Sequence, residues 1–269
     1  MGASIISSRH NPLIRGLRAT LRAPSRRSGV CVIEGWRLFE AAVAAGVRLD
    51  LLVMTEAAAA DPAAATGREA ARARAAREIT VTPEVFAALT QVPAPQGVLG
   101  IAPRPPAAAL VPAEDAQALV VVLDAIQDPG NVGTIVRTAV ACGATAVVAC
   151  GPTADPFGPK ALRASAGAVF QVPIGFADGA EDAEAALRAG GLRIVAADAH
   201  AAVTATPATW TRPLALVLGS EAAGPAPVWR AGGALAVRVP VLGPVESLNV
   251  AAAAAVLLYQ AAGLLSPRA

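Results

Sequence analysis

The sequence predicts an α/β protein of two parts: a small α/β domain, then a larger domain built on a parallel sheet. Three observations predict it. Strand-like apolar runs alternate with helical stretches along the 269 residues, the pattern of layered α/β folds. Three of those runs, Leu119–Asp124, Leu214–Leu218 and the stretch from Val237, lead into loops carrying polar side chains, as strands do at the carboxyl edge of a parallel sheet. Between the parts, Pro103, Pro105 and Pro106 deny regular structure to a linker.

Taken in order, the chain opens basic. Arg9, Arg15, Arg18, Arg22, Arg26 and Arg27 precede residue 30 without an Asp or Glu among them, a block suited to a phosphate backbone. Val30–Glu34 reads as a strand, 35–45 as a helix with Trp36, Phe39 and Val43 on one face, and 49–55 as a second strand. Residues 62–78 read as one Ala/Arg-rich helix, 83–89 as a short helix, and 97–101 as the closing strand of a domain spanning 1–102. A linker, 103–117, leads to the second domain, 118–269. There the buried strand Leu119–Asp124 feeds a turn made by Pro129 and Gly130, and Asn131 takes the helix N-cap. Arg137 projects from that helix among Ile135, Val136, Ala139 and Val140. In Phe157–Phe170, Lys160 and Arg163 stand three apart on one helix face, either to meet a phosphate or to form a solvated surface. The helix of 250–263 has almost no polar face and must be covered on nearly all sides, by its own chain or by a second copy.

Composition bounds the rest. Hydrophobic residues make up 55% and charged ones 16%, which indicates a globular chain. A net charge of +2 is too small to establish a nucleic-acid partner by itself. Cys31, Cys142 and Cys150 form no CxxC pair, and their odd number argues against a disulfide framework. His10 and His200 are isolated, so no metal is expected. Neither end reads as a secretory signal and no apolar run is long enough to span a bilayer; a cytoplasmic protein with no membrane partner is expected.

Asn131-x-Gly133-x-x-x-Arg137, Gly219-Ser220-Glu221 and Ser247-Leu248-Asn249 put polar residues at three strand ends, a site rather than three accidents. In order, spacing and flanking strands they resemble the three-motif signature of the SpoU (TrmH-type) RNA 2′-O-ribose methyltransferases of the SPOUT superfamily. Val32-Ile33-Glu34-Gly35-Trp36-Arg37 and Pro95-Gln96-Gly97-Val98-Leu99-Gly100 resemble the substrate-binding domain that precedes the catalytic domain in many members. That domain has a fold like the ribosomal proteins that bind kinked RNA.

The resemblance implies a parallel α/β domain with a deep trefoil knot, a feature so rare that no periodicity argument reaches it. It implies S-adenosylmethionine as methyl donor, contacted at Gly219, Val239 and Leu248, and catalytic roles for Asn131, Arg137, Glu221, Ser247 and Asn249. Gly219 lacks a Cβ, so backbone can approach a ligand closely there. No His or Lys lies within the motifs, so a base of near-neutral pKa is missing. Arg137 is then either the proton acceptor or, gripping a phosphate, the stabiliser of a developing alkoxide, with Asn131 and Glu221 orienting it and Ser247 and Asn249 placing the ribose. RNA contacts fall to Arg9, Arg15, Arg18, Arg22, Arg26, Arg27, Lys160 and Arg163. A homodimer through the second domain, with 250–263 at its interface, is implied too. Ala222 and Pro225 depart from the family's usual glycine and aliphatic residue.

Rival readings lack their own signals. A nicotinamide enzyme needs a G-x-G-x-x-G turn, which is absent. A serine hydrolase using Ser165 or Ser220 lacks the G-x-S-x-G elbow. A non-catalytic RNA-binding scaffold would not need all five polar motif residues. The separate N-terminal domain leans the substrate towards 23S ribosomal RNA, with transfer RNA as the alternative.

Overall fold

The computed structural model describes residues 5–22, 28–111, 115–204 and 210–264. The chain divides into two compact units: residues 1–105 with Phe157–Phe170, and Pro106–Pro156 with Gln171–Ala269.

The first unit carries a four-stranded sheet in the order β1-β4-β2-β3. Its strands are β1 (Val30–Glu34), β2 (Leu51–Thr55), β3 (Glu78–Val81) and β4 (Val98–Pro103). β4 runs antiparallel to β1 and β2, while β2 and β3 are parallel. Helix Pro12–Arg22 buries Ile14, Leu17 and Leu21 and turns Arg15 and Arg22 outward. The helix Trp36–Ala44 buries Leu38, Phe39 and Ala42, so its inner face is rotated from the Trp36, Phe39 and Val43 stripe read from the sequence. The single helix expected over 62–78 is a 3-10 turn, Pro62–Ala64, then a helix, Ala65–Arg74, and it stops before β3. The reason is the alternation at its end: Ile79 and Val81 are buried between half-exposed neighbours, a strand period. An Arg72–Glu78 ion pair at 2.7 Å spans the junction.

The segment Phe157–Phe170 groups with this unit by its contacts, although it lies within the stretch 118–269 that the sequence reading gives to the second domain. Its packing explains the placement. Phe157 stacks near Phe170 with ring centroids 6.3 Å apart, and the Arg104 guanidinium lies 4.7 Å from the Phe157 ring centre. Gly167 has φ +85°, and a Cβ there would meet Ala41 Cβ at 2.5 Å. Beside the segment, Glu34 accepts a hydrogen bond from the Thr90 hydroxyl. Burial pushes the Glu34 carboxyl above its usual range, opposed by that bond and by the charge of Arg163.

The second unit is a six-stranded, wholly parallel sheet in the order β10-β8-β9-β5-β6-β7. The strands are β5 (Leu119–Asp124), β6 (Ala146–Cys150), β7 (Ile174–Ala177), β8 (Arg193–Ala197), β9 (Leu214–Leu218) and β10 (Leu235–Val237). β5, β6 and β9 are buried along their whole length, which their unbroken apolar runs require in a sheet covered on both faces. One core cluster joins Val120, Val122, Val148, Val217, Leu187 of helix Ala180–Ala189 and Trp229 of helix Pro227–Ala231. Helices Pro129–Ala141 and Val250–Ala261 pack on each other. From β5 the chain steps outward through β6 and β7, then crosses to β8 and returns with β9 beside β5. Strand order therefore reverses between β5 and β9, and ligands of open α/β sheets bind outside the carboxyl ends at such a point.

Candidate active site

The first and second motifs sit on those two neighbouring strand ends. After β5, Asp128 caps helix Pro129–Ala141, its carboxylate accepting from the backbone N–H of Gly130 and, at 3.3 Å, of Asn131. The N-cap expected at Asn131 is thus taken by Asp128. Pro129, whose fixed φ and missing N–H suit the first helical position, starts the helix two residues before Asn131. The shift has a chemical result, because the Asn131 amide is released from capping. Its Nδ2 donates to Glu221 Oε1 at 2.5 Å.

Glu221 stands in a loop closed on itself. Gly224 N–H donates to the Ser220 carbonyl at 2.9 Å, and Ala223 N–H to the Ser220 hydroxyl at 3.2 Å. A Cβ on Gly219 would collide with the backbone of Gly224 and Pro225. The glycine is therefore demanded by the loop's own closure, a tighter requirement than room for a ligand. Pro225, one of the two departures, is buried in this fold-back, while Ala222 is exposed.

The third motif meets the other two through Asn249. Its Oδ1 accepts from Ala251 N–H at 2.9 Å and Ala252 N–H at 3.4 Å, capping helix Val250–Ala261. Its Nδ2 donates to Asn131 Oδ1 at 3.3 Å. The helix end fixes which way the Asn249 amide points, Asn249 fixes Asn131, and Asn131 presents a donor to Glu221. Each amide nitrogen keeps a second hydrogen and Glu221 a second oxygen, so donors and an acceptor remain for a substrate.

Arg137 and Ser247 stand apart from this network. Both are exposed, and neither side chain makes a hydrogen bond or ion pair with any described residue. Asn131 and Glu221 bond to each other, and neither bonds to Arg137 in this structure. Val239 is half-buried and Leu248 is 39% exposed. Residues 239–248 make no hydrogen bond to any described residue. Leu242 and Val245 on this stretch are also exposed. A segment whose backbone donors and acceptors have no partner among the described residues, beside apolar side chains, fits an adenosine-bearing ligand held through main-chain groups. Among the described residues, no group of His, Cys, Asp or Glu is arranged to hold a metal ion.

Of the basic residues, Arg9 donates through Nε to the Glu84 carbonyl at 3.0 Å. Arg15 and Arg22 are exposed, and Arg18 is half-buried on the same helix. Lys160 and Arg163 are exposed on the short helix Pro159–Ala164 of the first unit. Arg26 and Arg27 lie outside the described residues. Sequence reasoning assigned nothing to Asp124, Asp128 and Trp229. A carboxylate closing an otherwise apolar strand was the available signal for Asp124. Beside it, burial and then the Asp124 charge and hydrogen bond push the Cys150 thiol up to about 12.

Three loops converging on one polar network at the switch point of a parallel sheet define a ligand-binding enzyme domain of the α/β class. Residues 118–259 match the SpoU rRNA methylase family, and residues 11–100 match an MRM3-like substrate-binding domain. The chain belongs to the SpoU rRNA methylase family. It is 33% identical over 186 residues to the 23S rRNA (guanosine(2553)-2′-O)-methyltransferase RlmP of Bacillus subtilis, covering 67% of this chain and 70% of the relative. An uncharacterized tRNA/rRNA methyltransferase of Synechocystis is 32% identical over 266 residues, 95% of this chain and 92% of that one. Among solved structures, an AdoMet-bound rRNA methyltransferase from Sinorhizobium meliloti superposes with TM-score 0.82 at 30% identity, covering 98% of this chain and 99% of that one. AviRb from Streptomyces viridochromogenes, in complex with AdoMet, gives TM-score 0.81 at 28% identity over 95% of this chain and 98% of its own. Membership bears out the resemblance carried by the three motifs. It makes the chain an RNA ribose methyltransferase with S-adenosylmethionine as donor.

Proposed function

We propose that this protein transfers a methyl group from S-adenosylmethionine to a ribose 2′-hydroxyl of 23S ribosomal RNA, in the cytoplasm, as a homodimer formed through its second unit. The observation that carries the reading is the chain Asn249–Asn131–Glu221, which joins all three motifs at the carboxyl ends of β5 and β9. The ribosomal substrate rests on relatives such as RlmP, named for 23S rRNA, and on the substrate-binding match over residues 11–100. The knot expected in this family is part of the proposal, as is coverage of the apolar helix Val250–Ala261 by a second copy.

The residue roles follow from chemistry. S-adenosylmethionine supplies the methyl group when bound, held by main-chain groups around Gly219, Val239 and Leu248. The ribose hydroxyl sheds its proton, to the RNA phosphate that Arg137 holds and on to water, as its oxygen forms the bond to the methyl carbon and the donor's carbon–sulfur bond breaks. The planar guanidinium fork of Arg137 holds an RNA phosphate and stabilises the forming alkoxide. Asn131, locked between Glu221 and Asn249, directs its remaining amide hydrogen at the ribose, and Ser247 with Asn249 completes the ribose site. Arg9, Arg15, Arg18, Arg22, Arg26, Arg27, Lys160 and Arg163 bind phosphate along the RNA.

Incubation of the protein with labelled S-adenosylmethionine and unmodified 23S rRNA or tRNA, followed by mapping of ribose methylation, tests this. Label on 23S rRNA at a 2′-oxygen is expected; label on tRNA alone would replace the substrate, and no label on either would remove the reading. Light scattering tests the dimer: a mass near the single-chain 26.8 kDa would refute it.

A further inference from the structure

Asp124 is the last residue of β5 and is only 5% exposed. Its Oδ2 accepts two hydrogen bonds, from the backbone N–H of Ala226 at 2.7 Å and from Trp229 Nε1 at 2.8 Å. Trp229 is fully buried. Burying a carboxylate is costly, and a chain can spare that cost by placing an apolar residue at a strand end. Both bonds come from the segment that leaves the Glu221 loop. That loop, 219–225, is otherwise tied to itself through Ser220, Ala223 and Gly224. On its other side Asp124 leads, within four residues, to Asp128, the cap of the helix that carries Asn131.

We propose that Asp124 is a positioning residue for the methyl transfer: it ties the Glu221 loop to the strand that launches the Asn131 helix, and so sets the Asn131–Glu221 pair. This rests on the proposed role of that pair. A single buried oxygen thereby registers two motifs 90 residues apart in sequence. Removing its charge or its tryptophan donor lets the loop shift without touching any group that meets substrate.

The test uses the full chain in steady-state methylation of whichever RNA it methylates, with Asp124→Asn, Trp229→Phe, Glu221→Gln and the Asp124→Asn/Glu221→Gln double variant. Asp124→Asn should lower kcat about tenfold with KM for both substrates within about twofold, because a displaced Glu221 affects the reacting geometry rather than binding. In the Glu221→Gln background the same change should add little, since two residues acting through one contact are non-additive. Trp229→Phe, which removes one donor and keeps the packing, should lower kcat in the same direction by about threefold. It also decides the matter if Asp124→Asn does not fold. Losses that multiply in the double variant, or a change confined to KM, would overturn the positioning role while leaving the site reading intact. A Glu221→Gln variant with parental kcat would overturn the site reading, and this inference with it.

Discussion

Two regions of the same site are built in opposite ways. Around Asn131, Glu221 and Asn249 every side chain has a partner, and the partners are anchored in turn by a helix cap, a closed loop and a buried carboxylate. The side chains of Arg137 and Ser247, and residues 239–248, make no hydrogen bond to any described residue. The first region is a frame already bonded within the chain; the second is a face without side-chain partners among the described residues. Preorganisation is useful only where groups must not move, and open donors are useful only where substrate supplies the acceptor. Damage to the face should therefore cost activity alone, and damage to the frame should cost stability as well.

The largest expected effect is on the face. Arg137→Ala should lower single-turnover methylation by about 10²–10³-fold, as losing one transition-state donor typically does, with the melting temperature unchanged. Affinity for S-adenosylmethionine, read by calorimetry, should stay within about twofold of the parent, because Arg137 is away from residues 239–248 in sequence and makes no bond to them. Arg137→Lys should fail too, since one ammonium does not reproduce a planar fork. Parental activity in either variant would end the distinction between face and frame.

Gly219→Ala strikes the frame. Its methyl group collides with backbone, so the loop must open, and we expect about 1–3 kcal/mol of destabilisation in urea unfolding together with weaker cofactor binding. Asn249→Ala is next: loss of a helix cap costs about 0.5–2 kcal/mol, and freeing the Asn131 amide should reduce kcat by about tenfold. If it lowered activity with stability intact, Asn249 would belong to the face.

The smallest effect lies deepest. The folded Cys150 thiol is raised from 9.0 to about 12, so it stays protonated where the unfolded chain ionises. Below pH 9 both states hold the proton and nothing is lost. As pH rises from 9.0 towards about 12, only the unfolded chain gains the charge, and stability falls. The melting temperature should decline less steeply across that window in Cys150→Ala than in the parent.

Much of the frame was legible in the sequence because it is local. An apolar run ending in a polar turn states a buried strand and its loop, and Leu119–Asp124 and Leu214–Leu218 were readable that way, whereas the strand read from Val237 ends at Val237, twelve residues short of Asn249. Three things were not. The true helix cap, Asp128, was hidden because Asp and Asn compete for one role and only backbone geometry separates them. The strand Glu78–Val81 was hidden because four residues give too short a period to break an Ala/Arg-rich helical stretch. The contacts of Asp124 with Ala226 and Trp229 span more than a hundred residues, and one chain's periodicity carries no signal at that range.

The loan of Phe157–Phe170 to the first unit bears on how such genes recombine. A module encoded in one stretch can be exchanged by a single crossover at each end. Here the first unit is written in two stretches, residues 1–105 and Phe157–Phe170, separated by the strand, turn and helix that hold Asn131. Phe157, Leu162 and Val169, nearly or wholly inaccessible to water, would be laid bare if only the first stretch were removed or swapped. A transplant of substrate specificity between relatives is therefore expected to need both stretches to travel.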